Sequence, residues 1–190
     1  MITGIRPPIL GEVPAIGGGK RPALFLDRDG VINLDHGYVH CQEDTEWIPG
    51  IFDLVSSARK HGYLPVVVTN QAGIARGIYT EEAFMAFTRW MHAQFLLHDA
   101  PLAATYYCPH HPTAGLGFYG GPCQCRKPAP GMILAAAELF GLDLSRSVLV
   151  GDKESDLEAG RAAGLTQLVK VESKCILPSD LMSLLRSCEE

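Results

Sequence analysis

Apolar and polar positions along this chain follow two alternating periods. Short apolar runs at 23–27, 64–68, 103–107, 147–150 and 166–171 have the length and composition of buried strands. Between them the spacing becomes helical. Ile51, Leu54, Val55 and Ala58 fall on one helical face after Pro49, and Gly62 stands where such a helix would end. Thr80 ahead of Glu81 and Glu82 predicts the start of a longer helix, with acids in the electropositive first turn. A further helix is predicted over 130–140, stopping at Gly141, and Ser155 with Glu158 predicts a capping box for the next. Ser179 predicts the cap of a last short helix. Strands alternating with helices imply an α/β fold, a doubly wound (Rossmann-like) parallel sheet with helices on both faces. Residues 1–21 hold Arg6, Pro7, Pro8 and the run Gly17, Gly18, Gly19, which predicts a loose N-terminal extension ahead of a single domain over 22–190.

The polar residues that end the apolar runs carry the chemistry. Asp27 and Asp29, spaced i, i+2 and followed by Gly30, end the first run. Alternate residues of a strand share a side, so both carboxylates are expected in one small volume. Two converging carboxylates repel, and hard oxygen ligands favour Mg²⁺ as the remedy. A strand running into an Asx-type turn would also use Asp and Gly. The later ends tilt the reading to catalysis. Thr69, Asn70 and Gln71 follow the second run, Gly151 and Asp152 the fourth, and Lys127 stands just before a helix. Open α/β sheets gather their ligands at these carboxyl ends. Asp156 falls in the helix after Asp152, where it either supports the site or answers the helix dipole.

Composition narrows the classes. The 190 residues are 47% hydrophobic and 19% charged, as in a globular domain with a sizeable core. A net charge of −5 without any Lys/Arg run argues against nucleic acid, and no run of 18 apolar residues argues against a membrane span. The first twenty residues lack the continuous apolar stretch of a signal peptide, so a cytoplasmic protein with reduced thiols is expected. Of six cysteines, Cys108, Cys123 and Cys125 bracket a glycine-rich irregular loop over 108–125. With one imidazole, from His110 or His111, they make a closed tetrahedral set suited to structural Zn²⁺. Cys41, Cys175 and Cys188 read as free thiols.

Asp27-x-Asp29-Gly30, Thr69-Asn70, Lys127 and Gly151-Asp152-x-x-x-Asp156 together resemble the four ordered signatures of the haloacid dehalogenase (HAD) superfamily of phosphatases, over residues 22–172. The resemblance implies a HAD-like, capless and monomeric phosphatase with a zinc-binding loop. In it Asp27 is the nucleophile and Asp29 the general acid and base. Mg²⁺ is held by Asp27, the Asp29 carbonyl and Asp152, and Lys127 and Thr69 neutralise and bind the phosphoryl group. It favours His110 over His111 beside Cys108, Cys123 and Cys125. Asp35, His36, Gly37 and Tyr38, with Asn70, Gln71, Ala72, Cys125-Arg126-Lys127-Pro128 and Lys153, are similar to the branch acting on heptose bisphosphates. Histidinol-phosphate phosphatases are the sister group. This branch implies a phosphorylated heptose losing its C7 phosphate, with substrate contacts from Asp27, Arg28, Asp29, the 35–38 flap, Thr69 to Ala72, Arg126, Lys127 and Lys153. A receiver-like phosphorylation module shares the sheet and the strand-end residues, but has neither the Asp-x-Asp-Gly step nor a cysteine loop.

Overall fold

A computed structural model describes residues 5–13 and 19–172. Its strands are β1 (Ile9–Leu10), β2 (Ala23–Leu26), β3 (Leu64–Asn70), β4 (Ala104–Cys108), β5 (Val148–Gly151) and β6 (Gln167–Lys170). Its α-helices are α1 (Ile51–Lys60), α2 (Ala72–Ala75), α3 (Glu81–Leu97), α4 (Gly131–Phe140) and α5 (Glu154–Ala163). The strands form one sheet in the order β1-β4-β3-β2-β5-β6, with every pair parallel except β1 on β4.

The doubly wound parallel sheet is as expected over β2 to β6, and the edge strand corrects one detail: residues 9–10 of the expected loose extension pair antiparallel with Thr105 and Ala104. Two residues are too few to show a period, and Pro7 and Pro8 beside them gave the segment the look of a loop. The predicted helix at Ser179, Cys175 and Cys188 lie outside the described residues.

Buried β2 faces both ways, so its neighbours divide by parity. Leu24 and Leu26 pack with Ile51, Leu54 and Val55 of α1 and Met91 and Phe95 of α3. Ala23 and Phe25 pack with Met132, Ile133 and Ala136 of α4 and Leu157 and Ala159 of α5. Helices on both faces leave only the strand ends open to ligand.

Local signals set the helix ends. Thr80 Oγ1 accepts from Ala83 N at 3.1 Å, as an N-cap should. Gly141 closes α4 in the left-handed region, φ 60°. The α5 start differs from expectation. Lys153, not Ser155, is the N-cap, and Asp156, not Glu158, closes the box by accepting from Lys153 N at 3.0 Å. Both acids stand three residues after their partner, so the register was ambiguous by two.

Candidate active site

β2, β3 and β5 lie side by side, which brings Asp27, Thr69 and Asp152 to one end of the sheet. The chain leaves strand conformation after Leu26 and turns at Gly30, φ 88°, where a side chain would be strained. Strand alternation therefore stops before Asp29. Its carboxylate does not join that of Asp27. The three whose oxygens lie within 4.8 Å of one another belong to Asp27, Asp152 and Asp156.

Lys127 is the charge centre of this floor. Its buried ammonium donates to Asp27 Oδ1 at 2.9 Å, Asp156 Oδ1 at 2.7 Å and the Val68 carbonyl at 2.8 Å, which uses all three of its protons. Burial opposes its charge, but Asp27 and Asp156 outweigh burial and raise its pKa. Burial raises the pKa of Asp27 against the pull of Lys127, and Asp156 raises it further. The backbone of Lys127 is clamped as well, since its N–H donates to Asn70 Oδ1 at 3.0 Å and its carbonyl accepts from Asn70 Nδ2 at 3.1 Å. Asp156 can reach it because Gly151 has no side chain. A Cβ there would stand 2.3 Å from the Asp156 Cβ.

Among the described residues, both hydrogen-bond partners of Asp27, Lys127 Nζ and the Arg28 amide, engage Oδ1. Oδ2 remains as the oxygen able to attack. Asp156 spends its oxygens on Lys127 and Lys153 N, which leaves Asp27 and Asp152 as carboxylate donors for a cation. Crowded hard oxygens with one compensating ammonium fit Mg²⁺.

Asp29 is held beside this floor. Arg28 donates to Oδ1 from Nε at 3.1 Å, and from one terminal nitrogen to Oδ1 at 2.8 Å and Oδ2 at 2.9 Å. Asn33 Nδ2 donates to Oδ1 at 3.1 Å and Gln71 Nε2 to Oδ2 at 3.3 Å. Arg28 itself has no exposed surface and lies over the rings of Phe84 and Phe87. The buried guanidinium thus serves as a tether on Asp29.

Above the floor opens a cavity of about 560 Å³, lined among others by Asp29, Asp35, Gly37, Tyr38, Asn70, Gln71, Ala72, Tyr79, Arg126, Lys127 and Lys153. Thr69 is buried beneath this lining and accepts from Gln71 Nε2 at 2.8 Å. His36, exposed on the 35–38 flap, pairs with Glu46 at 3.1 Å. Lys153 Nζ reaches Asp35 Oδ2 at 3.2 Å, joining the flap to the loop after β5. Tyr38 holds a left-handed φ of 58°, unusual for a bulky residue, and still lines the cavity.

The cysteine loop closes as a second centre. Sγ atoms of Cys108, Cys123 and Cys125 stand 3.1 to 3.6 Å apart, and His110 Nδ1 lies 3.3 Å from Cys125 and 3.7 Å from Cys108. Tetrahedral Zn–S bonds require edges of about 3.7 Å, close to these. The hydrogen bond between Cys108 and Cys125 lowers the Cys125 pKa to about 5 and, with burial, raises that of Cys108. Three packed thiols cannot all ionise without a cation, so the donor set fits Zn²⁺. His111 turns away, its Nδ1 accepting from Ala114 N at 3.0 Å. Cys41 is free, 3.2 Å from Asp44.

Sequence reasoning missed Asn33 and Tyr79. Neither lies in a strand-end signature, and an aromatic before the Thr80 cap reads as core.

A sequence profile described as HAD-hydrolase-like matches residues 124–173. The D-glycero-beta-D-manno-heptose-1,7-bisphosphate 7-phosphatase of Vibrio cholerae is 48% identical over 80% of this chain and 82% of its own. The corresponding alpha enzyme of Burkholderia mallei is 53% identical over 77% of each. A HAD-like phosphatase structure from Mesorhizobium loti superposes with a TM-score of 0.85, at 31% identity, over 95% of this chain and 93% of that one. The D,D-heptose 1,7-bisphosphate phosphatase of B. bronchiseptica, complexed with magnesium and phosphate, gives 0.71 at 27% identity, over 87% and 97%.

Proposed function

Because the chain belongs to the family of D-glycero-D-manno-heptose-1,7-bisphosphate 7-phosphatases among the HAD-like hydrolases, we propose that it removes the C7 phosphate of that bisphosphate and leaves heptose 1-phosphate. The observation that carries this reading is the buried Asp27–Lys127–Asp156 floor under a cavity whose walls hold Arg126 and Lys153. A phosphate monoester hydrolyses slowly, so positioning and charge neutralisation must supply most of the rate.

Asp27 Oδ2 attacks phosphorus in line, the bond from phosphorus to the C7 oxygen breaks, and Asp29 gives that oxygen its proton. Water then attacks the aspartyl-phosphate, Asp29 takes the water proton, and the bond from phosphorus to Asp27 breaks to release phosphate. Lys127 holds Asp27 and offsets phosphoryl charge, while Asn70 fixes Lys127. Mg²⁺, held by Asp27, the Asp29 carbonyl and Asp152, supplies Lewis-acid polarisation of the phosphoryl oxygens when bound. Zn²⁺ on Cys108, His110, Cys123 and Cys125 keeps the loop folded. Arg126 and Lys153, with Asp35, Gly37 and Tyr38 of the flap, hold the sugar and the second phosphate. Reduced thiolates and a phosphorylated sugar suit a cytoplasmic enzyme.

Steady-state kcat/KM with added Mg²⁺ tests this. Both anomers of the heptose bisphosphate are expected to exceed histidinol phosphate, with phosphorus NMR showing the anomeric phosphate retained. Preference for histidinol phosphate, or loss of the anomeric phosphate, would overturn it.

A further inference from the structure

Tyr79 lies in the short connection between α2 and α3, eight residues after Gln71, and it lines the cavity while only 7% exposed. It can pack so closely because Gly73 has no side chain, and a Cβ there would stand 2.2 Å from its ring. Its hydroxyl donates to Gln71 Oε1 at 2.6 Å. The Gln71 amide then has one orientation. Its NH2 group faces Thr69 Oγ1 at 2.8 Å and Asp29 Oδ2 at 3.3 Å, so two hydrogens meet two acceptors. On the other side, His40 stacks on the Tyr79 ring at 4.6 Å and 12°, and its Nδ1 meets the Tyr38 carbonyl of the flap at 2.8 Å.

We infer that Tyr79 is a positioning residue: through Gln71 it seats the Asp29 carboxylate for proton transfer, and through His40 it ties that seating to the flap. The inference rests on the phosphatase reading of the site but not on the heptose substrate. The hydroxyl suits the task because burial pushes its pKa up to about 12, so it stays a donor at any working pH. Removing it frees the Gln71 amide to rotate and takes a fixed donor from Asp29, while the ring, its stack and its packing remain.

The test is Tyr79→Phe, with added Mg²⁺, on an alkyl sugar phosphate and on p-nitrophenyl phosphate. An aryl leaving group departs without an acid, but hydrolysis of the aspartyl-phosphate still needs the base. On nitrophenyl phosphate the variant is expected to release one equivalent of nitrophenolate at the wild-type rate and then turn over about tenfold more slowly, part of the about 10²- to 10⁴-fold that an acid/base supplies. On the sugar phosphate kcat is expected to fall with KM unchanged and no burst. Adding Tyr79→Phe to Gln71→Leu is expected to cost nothing further. Unchanged kcat would overturn the inference, as would a raised KM at constant kcat, which marks direct substrate contact, or a slowed burst with a lower Tm, which marks structural damage. Wild-type protein inactive on both substrates would overturn the phosphatase reading, and this inference with it.

Discussion

Asp27 can serve as a nucleophile only while its charge is held and one oxygen stays open, and Lys127 and the Arg28 amide on Oδ1 meet both conditions. Asp27→Asn changes almost no volume, so the fold is expected to persist while turnover falls by at least about 10³-fold. Retained kcat beside an intact circular dichroism spectrum would contradict the proposed role. Asp156 acts one step back. Its loss leaves Lys127 with the Asp27 carboxylate and the Val68 carbonyl and takes the cap from Lys153 N. Taking one of two carboxylates from a buried ammonium, together with a helix cap, is destabilising, so Asp156→Ala is expected to lower Tm as well as kcat, measured by a thermal scan beside steady-state assay. The strand-end residues were legible because each chemistry-bearing group follows an apolar run. The use of Asp156 was not, since a helix acid three residues past Lys153 has the same spacing whether it caps, binds or faces solvent. The setting of Arg28 was hidden for a related reason: nothing between Asp27 and Asp29 in the sequence foretells a guanidinium buried against Phe84 and Phe87.

At the scale of elements, the sheet and helix faces followed from period alone, whereas loops did not, because side-chain partners far apart in sequence set their course. α3 shows what the pattern could not foretell. It buries His92 against β4, with Nε2 2.8 Å from Thr105 Oγ1, and burial lowers the His92 pKa to about 4. Unfolded, the same imidazole titrates near pH 6.5. Its folded pKa is depressed, so the unfolded chain binds more protons between those values. Stability is therefore whole above about pH 6.5 and declines as pH falls toward 4, by up to about 3 kcal/mol at 1.36 kcal/mol per pKa unit. Urea midpoints at pH 7 and pH 4 check this, and His92→Gln is expected to flatten the difference. The same midpoint change in the variant would refute the assignment. The cysteine loop has little apolar filling and depends on its donor set. Cys123→Ser is expected to lower bound zinc and Tm more than the rate of phosphoryl transfer. Elemental analysis and a thermal scan check it, and zinc-free protein with wild-type Tm would count against a structural metal.

Across the whole molecule, the two proposed metal centres share one segment of chain. Cys125 closes the thiolate set, Arg126 lines the cavity and Lys127 grips Asp27, three consecutive residues serving three ends. Arg126 is not free to wander, since its guanidinium donates to the His110 carbonyl at 3.1 Å. The proposed zinc site therefore sets where that guanidinium stands, while Lys127 is fixed separately by Asn70, Asp27 and Asp156. Loosening the loop should thus spare the reaction floor and disturb the far end of the substrate. A guanidinium binds a phosphate through paired hydrogen bonds, and their worth depends on its being held in place. Partial zinc removal by a chelator, with Mg²⁺ kept saturating, is expected to lower kcat/KM for the bisphosphate by about tenfold or more. A small monophosphate without the distal group should lose much less. Arg126→Ala should reproduce that asymmetry in zinc-replete enzyme and make it insensitive to the chelator. Equal losses on both substrates would mean that the loop supports the floor directly, and no loss on either would mean that Arg126 keeps its place without the metal.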